Sequence, residues 1–119
     1  MLSMVSLIVS ACGATGAMPA GEPAPDGVAA TAGLVAYTST WPACHEANGQ
    51  GVPGLGKPLV GSVLVDETSD PELVEFLKVG RSTGDPLNTS GVDMPRRGGN
   101  PSLDDDHLRD LVTYIRSLS

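Results

Sequence analysis

The sequence predicts an all-α fold of three main helices joined by long, irregular loops. Two segments, around Ser69 and Asp104, carry complete helix-start signals followed by apolar residues at helical spacing. A third, around Leu34, is rich in helix formers. Fifteen glycines and ten prolines indicate many turns and little room for long regular elements.

The first helix is expected over about Val28 to Ser39, with Ala29, Leu34, Val35 and Ala36 as formers and Tyr37 apolar. It should end by Trp41, because the ring of Pro42 disfavours helical geometry at the residue before it. The second begins cleanly: Ser69 as N-cap with Glu72 three residues on makes a capping box. Pro71 is tolerated in its first turn. Leu73, Phe76 and Leu77 share a face, and Gly80 is placed to end the helix. The third starts at Asp104, with Asp105 and Asp106 near the positive end of the helix dipole. Leu108, Leu111, Val112, Ile115 and Leu118 form its apolar stripe, and Arg116 sits in its last turn. Between the second and third helices lies a loop, residues 81–103, long enough in so small a domain to imply a binding role.

Ahead of these helices the chain changes character. Met4 to Ala11 is an apolar run far shorter than the ~20 residues of a spanning helix, and it fits a signal segment over residues 1–11. Val9-Ser10-Ala11-Cys12 looks like the lipobox of a bacterial lipoprotein, in which Cys12 becomes the acylated first residue. No Lys or Arg precedes the run, a departure from that pattern. The alternatives are an ordinary export signal, or a Cys12–Cys44 disulfide. Each reading makes the protein exported, to the periplasm or the outer face of the cytoplasmic membrane. Residues 12–28, small and rich in Pro and Gly, read as a flexible tether, and 29–119 as one domain.

Composition excludes some partners and suggests another. Fourteen acidic against seven basic side chains, with no Lys/Arg cluster, argue against nucleic acid. The aromatic residues are only Tyr37, Trp41, Phe76 and Tyr114. A domain of roughly 90 residues buries only about two-thirds of its unfolded surface, so a large apolar cofactor would make up the shortage. No nucleophile–base constellation or phosphate loop points to a hydrolase.

Cys44-His45 carries the chemistry. C-x-x-C-H is the attachment signature of c-type haem, in which each Cys adds to a vinyl group and the His ligates iron. Here the segment reads Trp41-Pro42-Ala43-Cys44-His45, with Trp in place of the first Cys. The bland reading of a Cys-His pair is a buried thiol beside a surface imidazole. The surroundings are more specific. Gly33 and Tyr37 form G-x-x-x-aromatic ahead of the motif, Tyr114 lies in the last helix, and Asn48-Gly49-Gln50-Gly51 and Lys57-Pro58-Leu59-Val60-Gly61-Ser62 follow it. Gly91-Val92-Asp93-Met94-Pro95-Arg96-Arg97-Gly98-Gly99-Asn100-Pro101 precedes the last helix.

From about Ala32 to Leu118 the chain resembles class I cytochrome c, and the last segment is close to a bacterial subgroup. The resemblance implies a cytochrome c fold whose loops wrap the haem, with Gly33 permitting close crossing of the first and last helices. It implies proximal ligation by His45, a carbonyl within 56–58 accepting the His45 N–H, and distal ligation by Met94. The soft sulfur would favour ferrous iron. It implies an electron carrier, not an enzyme, serving redox proteins or a membrane electron-transfer complex through a lipid anchor. A peroxidase would need an open distal position, against which Met94 speaks.

Trp41 leaves three readings open. The site holds haem c by one thioether at Cys44, with the indole at the haem edge; or the Trp is a one-base change from Cys; or the chain is a haem-poor or haem-free accessory subunit of a respiratory or photosynthetic complex. Arg81, Arg96 and Arg97 are candidates for haem propionates or a partner. His107 is expected in solvent, and Asp104 to Asp106 as capping residues.

Overall fold

A computed structural model of the chain describes residues 26–118. The signal-like segment, Cys12 and the tether up to residue 25 lie outside them. Five α-helices follow in order: α1 (Asp26–Thr40), α2 (Pro42–His45), α3 (Val63–Glu67), α4 (Asp70–Val79) and α5 (Asp105–Ser117). One 3-10 turn, Arg96–Gly99, lies between α4 and α5. Among the described residues extended pairing is limited to two isolated antiparallel bridges, Val52 with Gly56 and Arg81 with Met94. The all-α expectation holds, with two short helices added to the three predicted.

The cap signals act as read. The Glu72 carboxylate accepts from both the N–H (3.2 Å) and the hydroxyl (2.6 Å) of Ser69, and these bonds hold its pKa below the usual carboxylate value. Gly80, at φ 71°, ends α4 by donating its N–H to the Phe76 carbonyl at 2.8 Å. At α5 the Asp104 carboxylate accepts from the His107 N–H at 3.0 Å.

α1 packs chiefly on α5. A Cβ at Gly33 would lie 2.0 Å from the Asp110 carbonyl oxygen and 2.7 Å from the Tyr114 Cβ, so only glycine lets the two backbones approach this closely. Tyr37 and Tyr114 stack beside the crossing, centroids 5.2 Å apart and tilted by 55°. Leu108, Leu111, Val112 and Ile115 of α5 meet Ala36 and Tyr37 of α1, Val65 of α3, and Leu73, Val74 and Leu77 of α4 in one core. Arg116 does more than complement a dipole. Its guanidinium donates to the carbonyls of Val65 (2.8 Å) and Thr68 (2.6 Å) and to the Asp70 carboxylate (2.6 Å), fastening the α3–α4 corner to α5.

Candidate haem site

Helical spacing explains why the motif residues converge. Trp41 was expected to leave helical geometry ahead of Pro42, but it keeps φ −64° and ψ −37°. Its N–H bonds the Tyr37 carbonyl (3.1 Å) and its own carbonyl accepts from His45 (2.9 Å). Pro42 lacks an N–H and opens α2 instead of stopping the helical path. Burial of the indole, 3% exposed, outweighs the pre-proline preference. Trp41, Cys44 and His45 therefore stand at i, i+3 and i+4 on one helical face, and all three line the same cavity.

The next turn orients the imidazole. Glu46 sits at φ 61°, ψ 162°, a region nearly reserved for glycine, and reverses the chain straight after His45. The buried Tyr37 hydroxyl donates to the Glu46 carbonyl and holds this turn. Gly56 then presses on α2: a Cβ there would lie 2.0 Å from the Cys44 carbonyl oxygen. That approach leaves the Lys57 carbonyl 2.7 Å from His45 Nδ1. A carbonyl only accepts, so Nδ1 donates to it, and Nε2 is the ring nitrogen that this bond does not engage.

Met94 arrives on the loop between α4 and α5. Arg81 and Met94 exchange both backbone hydrogen bonds, at 2.9 and 2.8 Å. A Cβ at Gly80 would stand 2.3 Å from the Met94 carbonyl oxygen, so the helix end also keeps space for this strand-like contact. Asn88 organises the loop from within. Its amide donates to the carbonyls of Ser82 (3.1 Å) and Val92 (2.9 Å), and its oxygen accepts from the Gly91 N–H (3.0 Å). Across the cavity rim, Lys57 Nζ bonds the Thr89 hydroxyl.

Cys44, His45, Met94 and Trp41 thus line one cavity of about 540 Å³, walled by apolar side chains including Leu73, Phe76, Leu77, Val112 and Ile115. Two polar atoms among the described residues are buried with no hydrogen-bond partner, Thr40 Oγ1 and Arg81 Nε. Both residues line this cavity. Arg81 Nε stands 3.4 Å from the Asp85 carboxylate without hydrogen-bond geometry, and its guanidinium lies over the Phe76 ring at 4.8 Å. Thr40 gave no signal in the sequence, since a threonine before a Trp-Pro step has no distinguishing chemistry.

Several other sequence candidates do not line the cavity. Arg97, at φ 51°, donates to the Leu103 carbonyl (2.6 Å) and pairs with Asp105 (3.3 Å), which makes it a brace for the loop. Arg96 is exposed. His107 is exposed and belongs to the α5 cap. The Asp105 carboxyl is held below its usual pKa first by Lys78 and also by Arg97, and the Asp104 carboxyl by the His107 N–H. These are structural roles, as the capping reading expected.

The family model for cytochrome c matches residues 30–119. The chain belongs to the cytochrome c family. Neither a curated protein nor a solved structure matches it. Membership makes this cytochrome a haem electron-transfer protein with covalently bound haem c, serving redox protein partners. The site fits that group: an imidazole, a thioether sulfur and a thiol share an apolar chamber, and the Lys57 carbonyl orients the imidazole.

Proposed function

We propose that this cytochrome is a lipid-anchored, single-haem electron carrier that passes one electron at a time between a membrane redox complex and another redox protein. His45 and Met94 would hold the iron, and Cys44 would form the only thioether. The observation that carries the reading is the meeting of His45, Cys44 and Met94, from opposite ends of the domain sequence, in one apolar cavity. Haem supplies one-electron chemistry at its iron. The chain's residues do the rest.

The Lys57 carbonyl accepts from His45 Nδ1, which leaves Nε2 as the ring nitrogen that would bind iron. Met94 would supply a sulfur ligand, which favours the reduced state relative to a second imidazole. Cys44 would supply the thiol for thioether attachment to a haem vinyl group. Trp41 stands where the motif's first Cys would be and offers no thiol, so Cys44 would be the one point of attachment, and the buried indole forms part of the cavity wall. The anchor would be an acylated Cys12, holding the domain at the outer face of the cytoplasmic membrane.

Met94→Ala should leave haem bound but open the sixth position. The expected result is a lower reduction potential and a ferric visible spectrum changed from that of the parent. An unchanged spectrum and potential would mean that another group is the sixth ligand.

A further inference from the structure

The loop that delivers Met94 is tied together by side chains. Its ends meet where the backbones of Arg81 and Met94 exchange two hydrogen bonds, and residues 82–93 between them contain no helix or strand. No other backbone hydrogen bond joins the outgoing limb, 82–87, to the returning limb, 89–93. On the exposed side, the Asp93 carboxylate accepts the Thr83 N–H at 2.6 Å. On the cavity side the tie is Asn88, half-buried at the turn. Its amide nitrogen donates to the Ser82 carbonyl at 3.1 Å and the Val92 carbonyl at 2.9 Å, and its oxygen accepts the Gly91 N–H at 3.0 Å.

Those partners demand an amide. Carbonyls only accept and an N–H only donates, so they fix which way the Asn88 side chain faces. Aspartate has the same shape but no donor, and would set a carboxylate against both carbonyl oxygens. Ser82 follows Arg81 directly, and Val92 stands two residues before Met94. The amide therefore clamps both limbs close to the Arg81–Met94 pair. We propose that Asn88 is the positioning residue for the sixth ligand, holding the Met94 sulfur at the iron against ligands from solution. The inference rests on the Met94 ligation proposed above. An outside ligand reaches the iron only while the sulfur is off it, so its apparent affinity is reduced to the fraction of molecules in that open state.

Imidazole titration of the ferric, full-length holo-protein, followed in the visible spectrum, tests this. Met94→Ala sets the limit for an iron with no sulfur to displace. Asn88→Asp and Asn88→Ala should bind imidazole at least ~10-fold more tightly than the parent. Both should also weaken the sulfur-to-iron charge-transfer band, with haem still attached and the far-UV circular dichroism unchanged. Gly33→Ala, which loosens a helix crossing outside the cavity, should bind imidazole within ~2-fold of the parent, since lost stability by itself does not free the sulfur. Parent-like binding by both Asn88 variants, beside tight binding by Met94→Ala, would overturn the inference and leave Met94 as the ligand. Parent-like binding by Met94→Ala would overturn the ligation and this inference with it. Equal tightening in Gly33→Ala, or failure of both Asn88 variants to load haem, would assign Asn88 to the stability of the fold and overturn the positioning role.

Discussion

Gly98 stands at φ 62°, and a Cβ there would lie 2.3 Å from the Trp41 ring. The glycine supplies a left-handed turn and the space for an indole at once. The Trp at position 41 is therefore a packed member of the core, as its 3% exposure also says, and this supports reading it as a genuine part of a single-thioether site. Tyr37, on the same helix, gives a pH test of the packing. Burial, and then the neighbouring Tyr114, push its hydroxyl up from 10.0 to about 12. The folded state thus keeps a proton that the unfolded chain releases near pH 10. Stability tied to Tyr37 is complete below pH 10.0 and is lost as pH rises to about 12; it amounts to roughly 2–3 kcal/mol. Urea midpoints measured across that range should fall more steeply for the parent than for Tyr37→Phe. Parallel curves would show that Tyr37 titrates as it does in water.

Among the helices, the α1–α5 crossing depends most on one residue. Gly33→Ala places a methyl 2.0 Å from the Asp110 carbonyl oxygen, and neither backbone can yield without moving its helix. The expected loss is about 2–3 kcal/mol, or a midpoint roughly 10 °C lower on thermal unfolding followed by far-UV circular dichroism. A midpoint within a degree or two of the parent would mean that the helices cross elsewhere. This crossing was legible in the sequence because the family pattern of Gly33, Tyr37 and Tyr114 marks it. The starts of α4 and α5 were legible because Ser69, Glu72 and Asp104 signal through local bonds that three residues suffice to form. α2 and α3, of four and five residues, are too short to show a period, although Pro42 opens α2 and the Ser62 side chain caps α3 by accepting from the Val65 N–H. The 81–103 loop read as irregular because the carbonyls that Asn88 gathers, from Ser82 and Val92, meet only after folding. Thr40 and Arg81 were illegible as a pair for the same reason, whereas Cys44, His45 and Met94 announced themselves by order and spacing.

For the molecule as a whole, scarce aromatic residues and a cavity of about 540 Å³ walled in part by core residues belong together. The apolar faces of α4 and α5 are built around a group that the chain does not itself supply. The acidic balance of the sequence suits a basic redox partner. The proposed anchor makes its own prediction: mass spectrometry of protein from its native host should find the chain beginning at an acylated Cys12. An unmodified Cys12 on freely soluble protein would remove the anchor. The central claim, one haem held by one thioether beside Trp41, is tested most directly by the pyridine haemochrome spectrum after acid-acetone treatment. One vinyl left conjugated lowers the transition energy, so the band should fall between those of ordinary c-type and b-type haem, and the haem should stay with the protein. Trp41→Cys should move the band to the two-thioether position. Haem that extracts freely with a b-type band, or protein from its own host with no haem at all, would contradict the account.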